Sequence, residues 1–294
     1  MPASPKQMTL NLPDVDLCVF EWGVPGGQQV LLVHATGFHA RCWDQIVAGL
    51  PEDWHIFAVD MRGHGRSGNV PPYKWPQFGN DLLHVCEMLG LKDAIGVGHS
   101  MGGHCVVHAC GHQAKHFKHL VLVDPVILSP EAFKNSTKHQ FDSVEEHPVA
   151  RRRGQFSTVA DMHDRYAERA PYATWDRQVF ADYCEHGLVP SSTGEGLELA
   201  CPPKVEASVY MADFDENIYP LIASINTPVV VLRANPRDET SQEMDFSASP
   251  TWPDLAHQFQ NGQDVLLPEL THFIAMQDPG LSLIHISEPT RRRG

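Results

Sequence analysis

The stretch AIGVGHSMGGH, residues 94–104, decides how this chain is read. Ala94 to Gly98 is a short apolar run of the length and composition of a buried strand. Gly98-His99-Ser100-Met101-Gly102 follows, a G-x-S-x-G pattern, and after it the spacing turns helical. A strand, a tight turn and a helix in that order are the context in which this pattern carries chemistry. Glycine on either side of the turn permits an approach too close for a side chain. Ser100 then stands at the tip with its hydroxyl exposed. The helix behind it aims its first amides and its positive dipole end at the same point. The Met101 amide is placed to donate to a developing oxyanion. A serine that merely caps a helix is the competing reading; it leaves the agreement of strand, helix and Gly103 unexplained.

Outward from the turn, apolar runs alternate with helical patterns, as expected of strand–helix units and a mostly parallel sheet. MTLNL and LCVFEW suggest an opening hairpin around Pro13 and Asp14. QQVLLVHA (28–35), HIFAVD (55–60), AIGVG (94–98) and HLVLVDPV (119–126) are expected strands. FGNDLLHVCEMLGL (78–91) is an amphipathic helix, with Leu82, Val85, Cys86 and Leu89 on one face. The alternation stops at about residue 127 and resumes at TPVVVLRA (227–234). A helix at SPTWPDLAHQF and a strand at DVLLPEL (264–270) follow. The expected organisation is a sheet core over 1–126 and 223–280, interrupted after the sixth strand by a mainly helical cap over 127–222. That insertion is far longer than an ordinary connection, and insertions of this size commonly cover a site.

Bulk properties exclude several function classes. Twenty-two Lys and Arg stand against 36 Asp and Glu, a formal net charge of −14. Nucleic acids and anionic membranes call for the opposite balance. No apolar stretch approaches the roughly 20 residues of a membrane span, and the N-terminus lacks the basic region and apolar core of a secretory signal. The seven cysteines show no CxxC spacing, so reduced thiols and a cytoplasmic location are expected.

The chain resembles the serine-nucleophile branch of the α/β-hydrolase fold superfamily, its esterase- and lipase-like members. The resemblance rests on HATGF (34–38), DMRGHGRSG (60–68), GHSMGG (98–103), LVLVDP (120–125), VVVLRANPRD (229–238) and LPELTHF (267–273). It implies a mostly parallel twisted sheet flanked by helices, and a catalytic Ser-His-Asp triad working without cofactor or metal on a small acyl substrate. Ser100 is the implied nucleophile and His272 the implied base. Asp238, after the strand PVVVLRA, holds the superfamily's usual acid position; Glu239 beside it and Asp124, at the end of LVLVDP, remain alternatives. HATGF departs from the usual His-Gly-x-Pro through Ala35 and His39. Its second oxyanion donor is expected to be the amide of Phe38, with Gly37 as the alternative. The implied reaction is hydrolysis of a carboxylic ester or related acyl bond. Carbon–carbon bond hydrolysis, lactone or thioester cleavage use the same scaffold. A ligand-binding receptor on that scaffold is the alternative of another class.

Other motifs have plainer readings. Asp60 and Arg62 are expected to tie loops together. Histidines 104, 108, 112 and 116 recur at i, i+4 spacing, which can chelate a metal, but no acidic motif accompanies them and a surface placement is expected. The Arg151–Arg153 run could meet an anionic substrate group, though a solvated face is the commoner meaning. Phe156, Tyr166, Tyr172, Trp175, Phe180 and Tyr183 are expected to pack the insertion, with one or two lining the cleft. The last 14 residues, LSLIHISEPTRRRG (281–294), resemble a translated sequencing-adapter read-through and are set apart as a non-native tail. An apolar groove is expected where a closing helix would otherwise pack.

Overall fold

Successive residues of the central strands divide between two apolar cores. Val30 and Leu32 enter one and Leu31 and Val33 the other; Val121 and Val123 likewise oppose Leu120 and Leu122. This period of two, with both faces buried, explains why the strands read as unbroken apolar runs. The computed structural model describes residues 4–135, 141–236 and 247–287.

The strands of the main sheet are β1 (Lys6–Asn11), β2 (Asp16–Gly23), β3 (Gln29–Val33), β4 (His55–Val59), β5 (Ala94–His99) and β6 (Phe117–Val123). The chain then leaves the sheet, forming a small one of its own from β7 (Gln155–Phe156), β8 (Leu188–Pro190) and β9 (Leu197–Leu199). It returns with β10 (Val229–Arg233) and β11 (Gly262–Leu266). The order across the main sheet is β1-β2-β4-β3-β5-β6-β10-β11. β1 and β2 form the expected hairpin and run antiparallel, as do β2 and β4; every other pairing is parallel. The mostly parallel α/β architecture inferred from the sequence is the one observed.

The long segment between β6 and β10 carries the helices Val159–Tyr166, Arg177–His186 and Pro203–Tyr210. The three-stranded sheet β7-β9-β8 lies within it, an addition to the helices expected there. Phe156, Trp175, Phe180 and Tyr183 join the same core as the upper face of the sheet.

Two expectations need correction. SPTWPDLAHQF is not a helix: only a 3-10 turn, Leu255–Gln258, forms. Pro250 and Pro253 each lack an amide to donate, which prevents a continuous ladder. Nor is an apolar groove left at the C-terminal side. Pro279–Ser287 is a helix in which Ile286 is fully buried, and Leu283 packs against Gly49. The apolar spacing of Leu281, Leu283 and Ile286 suffices to cover the face. Residues 288–294 lie outside the described chain.

Candidate active site

Ser100 takes φ 55° and ψ −117°, a conformation that side chains rarely adopt. The close packing around it accounts for the glycines. A Cβ on Gly98 would come 2.3 Å from the Gly102 carbonyl oxygen, and one on Gly102 would come 2.2 Å from that of Val33. The Ser100 amide donates to Val123 O at 3.0 Å, so the turn is tied to the end of the neighbouring β6. The helix Met101–His112 follows at once.

Three elements bring the reactive groups together. Ser100 directly follows β5, Asp124 directly follows β6, and the loop after β11 supplies His272. His272 Nε2 lies 3.0 Å from Ser100 Oγ, and His272 Nδ1 lies 2.7 Å from Asp124 Oδ2. The carboxylate therefore fixes the tautomer with hydrogen on Nδ1 and leaves Nε2 to receive the serine proton. Asp124 is fully buried; its Oδ1 accepts from Ala234 N (3.0 Å), Ser249 Oγ (2.5 Å) and Thr251 Oγ1 (3.3 Å). His99 supports the imidazole from behind, its Nε2 donating to His272 O at 2.8 Å, and burial holds the His99 ring neutral with a pKa of about 3.

Asp124 is the carboxylate on His272 among the described residues. Asp238, the first choice from the sequence, and Glu239 beside it lie outside the described residues. Asp124, the second choice, is the one the described structure brings onto the imidazole. β6 is the strand next to β5, so a residue at its end lies one strand spacing from the nucleophile.

The amides expected as the second oxyanion donor have partners of their own. Ala35 to Phe38 closes a turn in which the Phe38 amide donates to Ala35 O at 3.1 Å, with Gly37 at φ 81° in the third position, as a type II turn requires. The Gly37 amide donates to His64 Nε2 at 3.0 Å. Both expected donors are thus engaged. The amides of Thr36 and Met101 have no acceptor among the described residues, and Thr36 and Ser100 line the same cavity.

Two neutral histidines, neither singled out from the sequence, hold this turn. His34 Nε2 accepts from the Met61 amide (2.9 Å) and its Nδ1 donates to Ala35 O (2.8 Å). His64 Nδ1 donates to Arg62 O at 2.9 Å. Burial depresses His34 well below the ordinary histidine range and His64 to about 4. His64 carries no mark of its role within the DMRGHGRSG motif. His64→Ala should lower kcat by about tenfold or more, short of the roughly 10²–10³-fold cost of deleting a donor. Steady-state kinetics on a variant with native circular dichroism would check this.

Asp60 and Arg62 have the expected tying role. Asp60 accepts from the amides of Ala40 (2.6 Å) and Arg66 (2.7 Å), and Arg62 forks onto Asp81 at 2.8 Å through both Nε and Nη2. The histidine series is largely not a surface feature: His104 and His108 are buried because their helix, Met101–His112, is packed against Trp75–Met88 and Tyr219–Ser224. His116, in the turn after it, is buried with its Nδ1 donating to Leu91 O at 2.7 Å; His112 is exposed. His108, His112 and Glu216 bring their ligand atoms within 4.8 Å of one another, a spacing one divalent ion would fit, but none lines the cavity of Ser100. All seven cysteines are free and buried.

Residues 30–282 match the Alpha/beta hydrolase family. The chain belongs to this family. Among curated relatives, this alpha/beta hydrolase is 24% identical over 267 residues to the Bifunctional esterase/perhydrolase DCH of Acinetobacter calcoaceticus, covering 88% of this chain and 90% of that protein. A Serine hydrolase-like protein of Danio rerio is 30% identical over 159 residues, but the match spans 51% of this chain and only 49% of that one. Among solved structures, E-2-(Acetamidomethylene)succinate Hydrolase superposes with a TM-score of 0.75 at 19% identity, covering 96% and 97% of the two chains. No helix among the described residues of this hydrolase is long and apolar enough to cross a membrane.

The cavity lined by Ser100 measures about 130 Å³ and is walled by loops at the strand ends and by the inserted segment. Trp175 meets Phe38 edge-on at 5.4 Å and lies 5.4 Å from Phe273. Tyr172 and Trp175 are the members of the expected aromatic set that line it.

Proposed function

We propose that this chain is a cofactor-free serine hydrolase that cleaves a compact carboxylic ester or related acyl bond through an acyl-enzyme. The observation that carries the reading is the continuous line from Ser100 Oγ through His272 to Asp124, at 3.0 and 2.7 Å. Ser100 Oγ attacks the carbonyl carbon while His272 Nε2 takes its proton. The amides of Thr36 and Met101 receive the oxyanion; their lack of an intramolecular acceptor supports that role. His272 then passes the proton to the leaving oxygen as the carbon–oxygen bond breaks. Water, deprotonated by the same nitrogen, attacks the acyl group and releases Ser100. Asp124 orients the imidazole and stabilises its charged form throughout.

The segment between β6 and β10 acts as a cap that limits substrate size. A cavity of roughly 150 Å³ holds one benzene molecule, so this one suits an acyl group of about that bulk. For p-nitrophenyl esters, kcat/KM should be highest for short or cyclic acyl groups and fall by at least about tenfold from butanoate to dodecanoate. A panel that adds small lactones and thioesters tests the reaction class. Absence of turnover on every ester would remove the reading.

A further inference from the structure

Of the three arginines in the 151–153 run, two face outward: Arg151 donates to Glu145 O, and Arg153 pairs with Asp161 on the surface. Arg152 turns inward and lines the catalytic cavity together with Glu206 and Tyr210. Its side chain is 21% exposed and that of Glu206 only 8%. Arg152 Nη2 stands 2.7 Å from Glu206 Oε2, an ion pair, yet off the line of a hydrogen bond. Arg152 Nε, Arg152 Nη2 and Glu206 Oε2 are all shielded from solvent and make no hydrogen bond among the described residues. Tyr210 donates to Glu206 Oε1 at 3.4 Å, which leaves Oε2 as the open acceptor.

We propose that Arg152 and Glu206 are the recognition end of this cavity, and that the substrate presents there an uncharged group that accepts and donates at once, an amide or a hydroxyl. The inference rests on the serine hydrolase reading of the same cavity. The ion pair offsets part of the cost of covering these charges, but two donors and one acceptor still lack a hydrogen bond, and a ligand that supplies it removes that penalty. An amide does so in one step: its carbonyl accepts from Arg152 and its N–H donates to Glu206 Oε2. A hydrocarbon end would cover these atoms and leave them unpaired. A carboxylate would suit the Arg152 fork but would place a second negative charge beside Glu206, in a pair already neutral overall. The site also lies close to the reaction centre. A Cβ on Gly37, the residue after Thr36, would fall 2.5 Å from Glu206 Oε1. The recognised group is therefore only a few bonds from the scissile carbonyl.

The test compares p-nitrophenyl esters whose acyl chains of two to five carbons end in methyl, carboxamide or carboxylate. The same three ends are also carried on the alcohol side of acetate esters. In one of the two series the carboxamide should exceed both other ends by tenfold or more in kcat/KM. In Arg152→Met/Glu206→Leu the order should revert to methyl first. If that double variant does not fold, competitive inhibition of the native protein serves instead, with propionamide binding at least tenfold tighter than propionate or propane-1-thiol. Methyl or carboxylate ends preferred at every length, or equal inhibition by the three compounds, would overturn the proposal while leaving Ser100 chemistry intact. No turnover of any ester would instead strike the reading on which it rests.

Discussion

Ser100→Ala should lower kcat on any ester the protein turns over by about 10⁶-fold, and His272→Ala by a similar factor, because the two act as one unit. Asp124→Asn should cost about 10⁴-fold, by presenting a donor to His272 Nδ1 and so forcing the wrong tautomer. The same substitution at Asp238 should leave kcat within a few-fold of native. The Asn variants keep side-chain volume, Ser100→Ala loses one oxygen and His272→Ala a whole ring, so melting temperatures should be measured alongside. The contrast between Asp124→Asn and Asp238→Asn decides the acid: a large loss at 238 with little at 124 would reverse the assignment.

Acid should unfold this protein at an unusually mild pH. Burial depresses nine histidines: His39, His99 and His104 to about 3, His64 and His119 to about 4, His34 well below the ordinary range, and His108, His147 and His186 in the same direction. Above about pH 7 each is neutral in both the folded and the unfolded chain, so nothing is lost. As pH falls through the ordinary histidine value of 6.5, the unfolded chain takes up these protons and the folded one does not. Stability then falls by about 1.4 kcal/mol per pH unit for each histidine. The loss continues until the folded values near 3 to 4 are reached. Asp60, raised by burial to about 6, works in the opposite direction, since the folded state binds its proton first. Burial raises Asp44 and Glu206 in the same sense, and three carboxyls offset only part of nine imidazoles. Between pH 6.5 and 5.5 the net loss is on the order of 5 kcal/mol, comparable to the whole stability of many domains. Scanning calorimetry at pH 7.5, 6.5 and 5.5 should show a steep drop in Tm over the lower interval. A flat Tm down to pH 5 would contradict it.

Much of this architecture is legible without coordinates. Strands such as β3 and β10 are apolar on both faces and stand out against the amphipathic helices between them. The nucleophile is legible because Gly98, Ser100 and Gly102 answer to a local steric demand. His272 is legible through its place after the last strand. The acid is harder, since Asp124 and Asp238 follow adjacent parallel strands, β6 and β10, and local pattern does not say which carboxylate meets the imidazole. The oxyanion donors are less legible because amide direction depends on the positive φ of Gly37, which turns the Phe38 amide onto Ala35 O. Arg152 differs from Arg151 and Arg153 only in tertiary surroundings. Its inward turn follows from the buried position of Glu206, 54 residues on, and no pattern within the arginine run marks it. The buried histidines of the helix Met101–His112 are illegible for a related reason: their spacing is regular, and only the flanking helices decide that they are covered.

The central claim is that one hydroxyl, that of Ser100, is activated by His272. Intact-mass and peptide analysis after treatment with a fluorophosphonate probe tests it most directly. The expected result is a single adduct, on the peptide containing Ser100, formed at least about 10²-fold more slowly in His272→Ala. An adduct that forms at the native rate in Ser100→Ala, or that maps to another residue, would contradict the account.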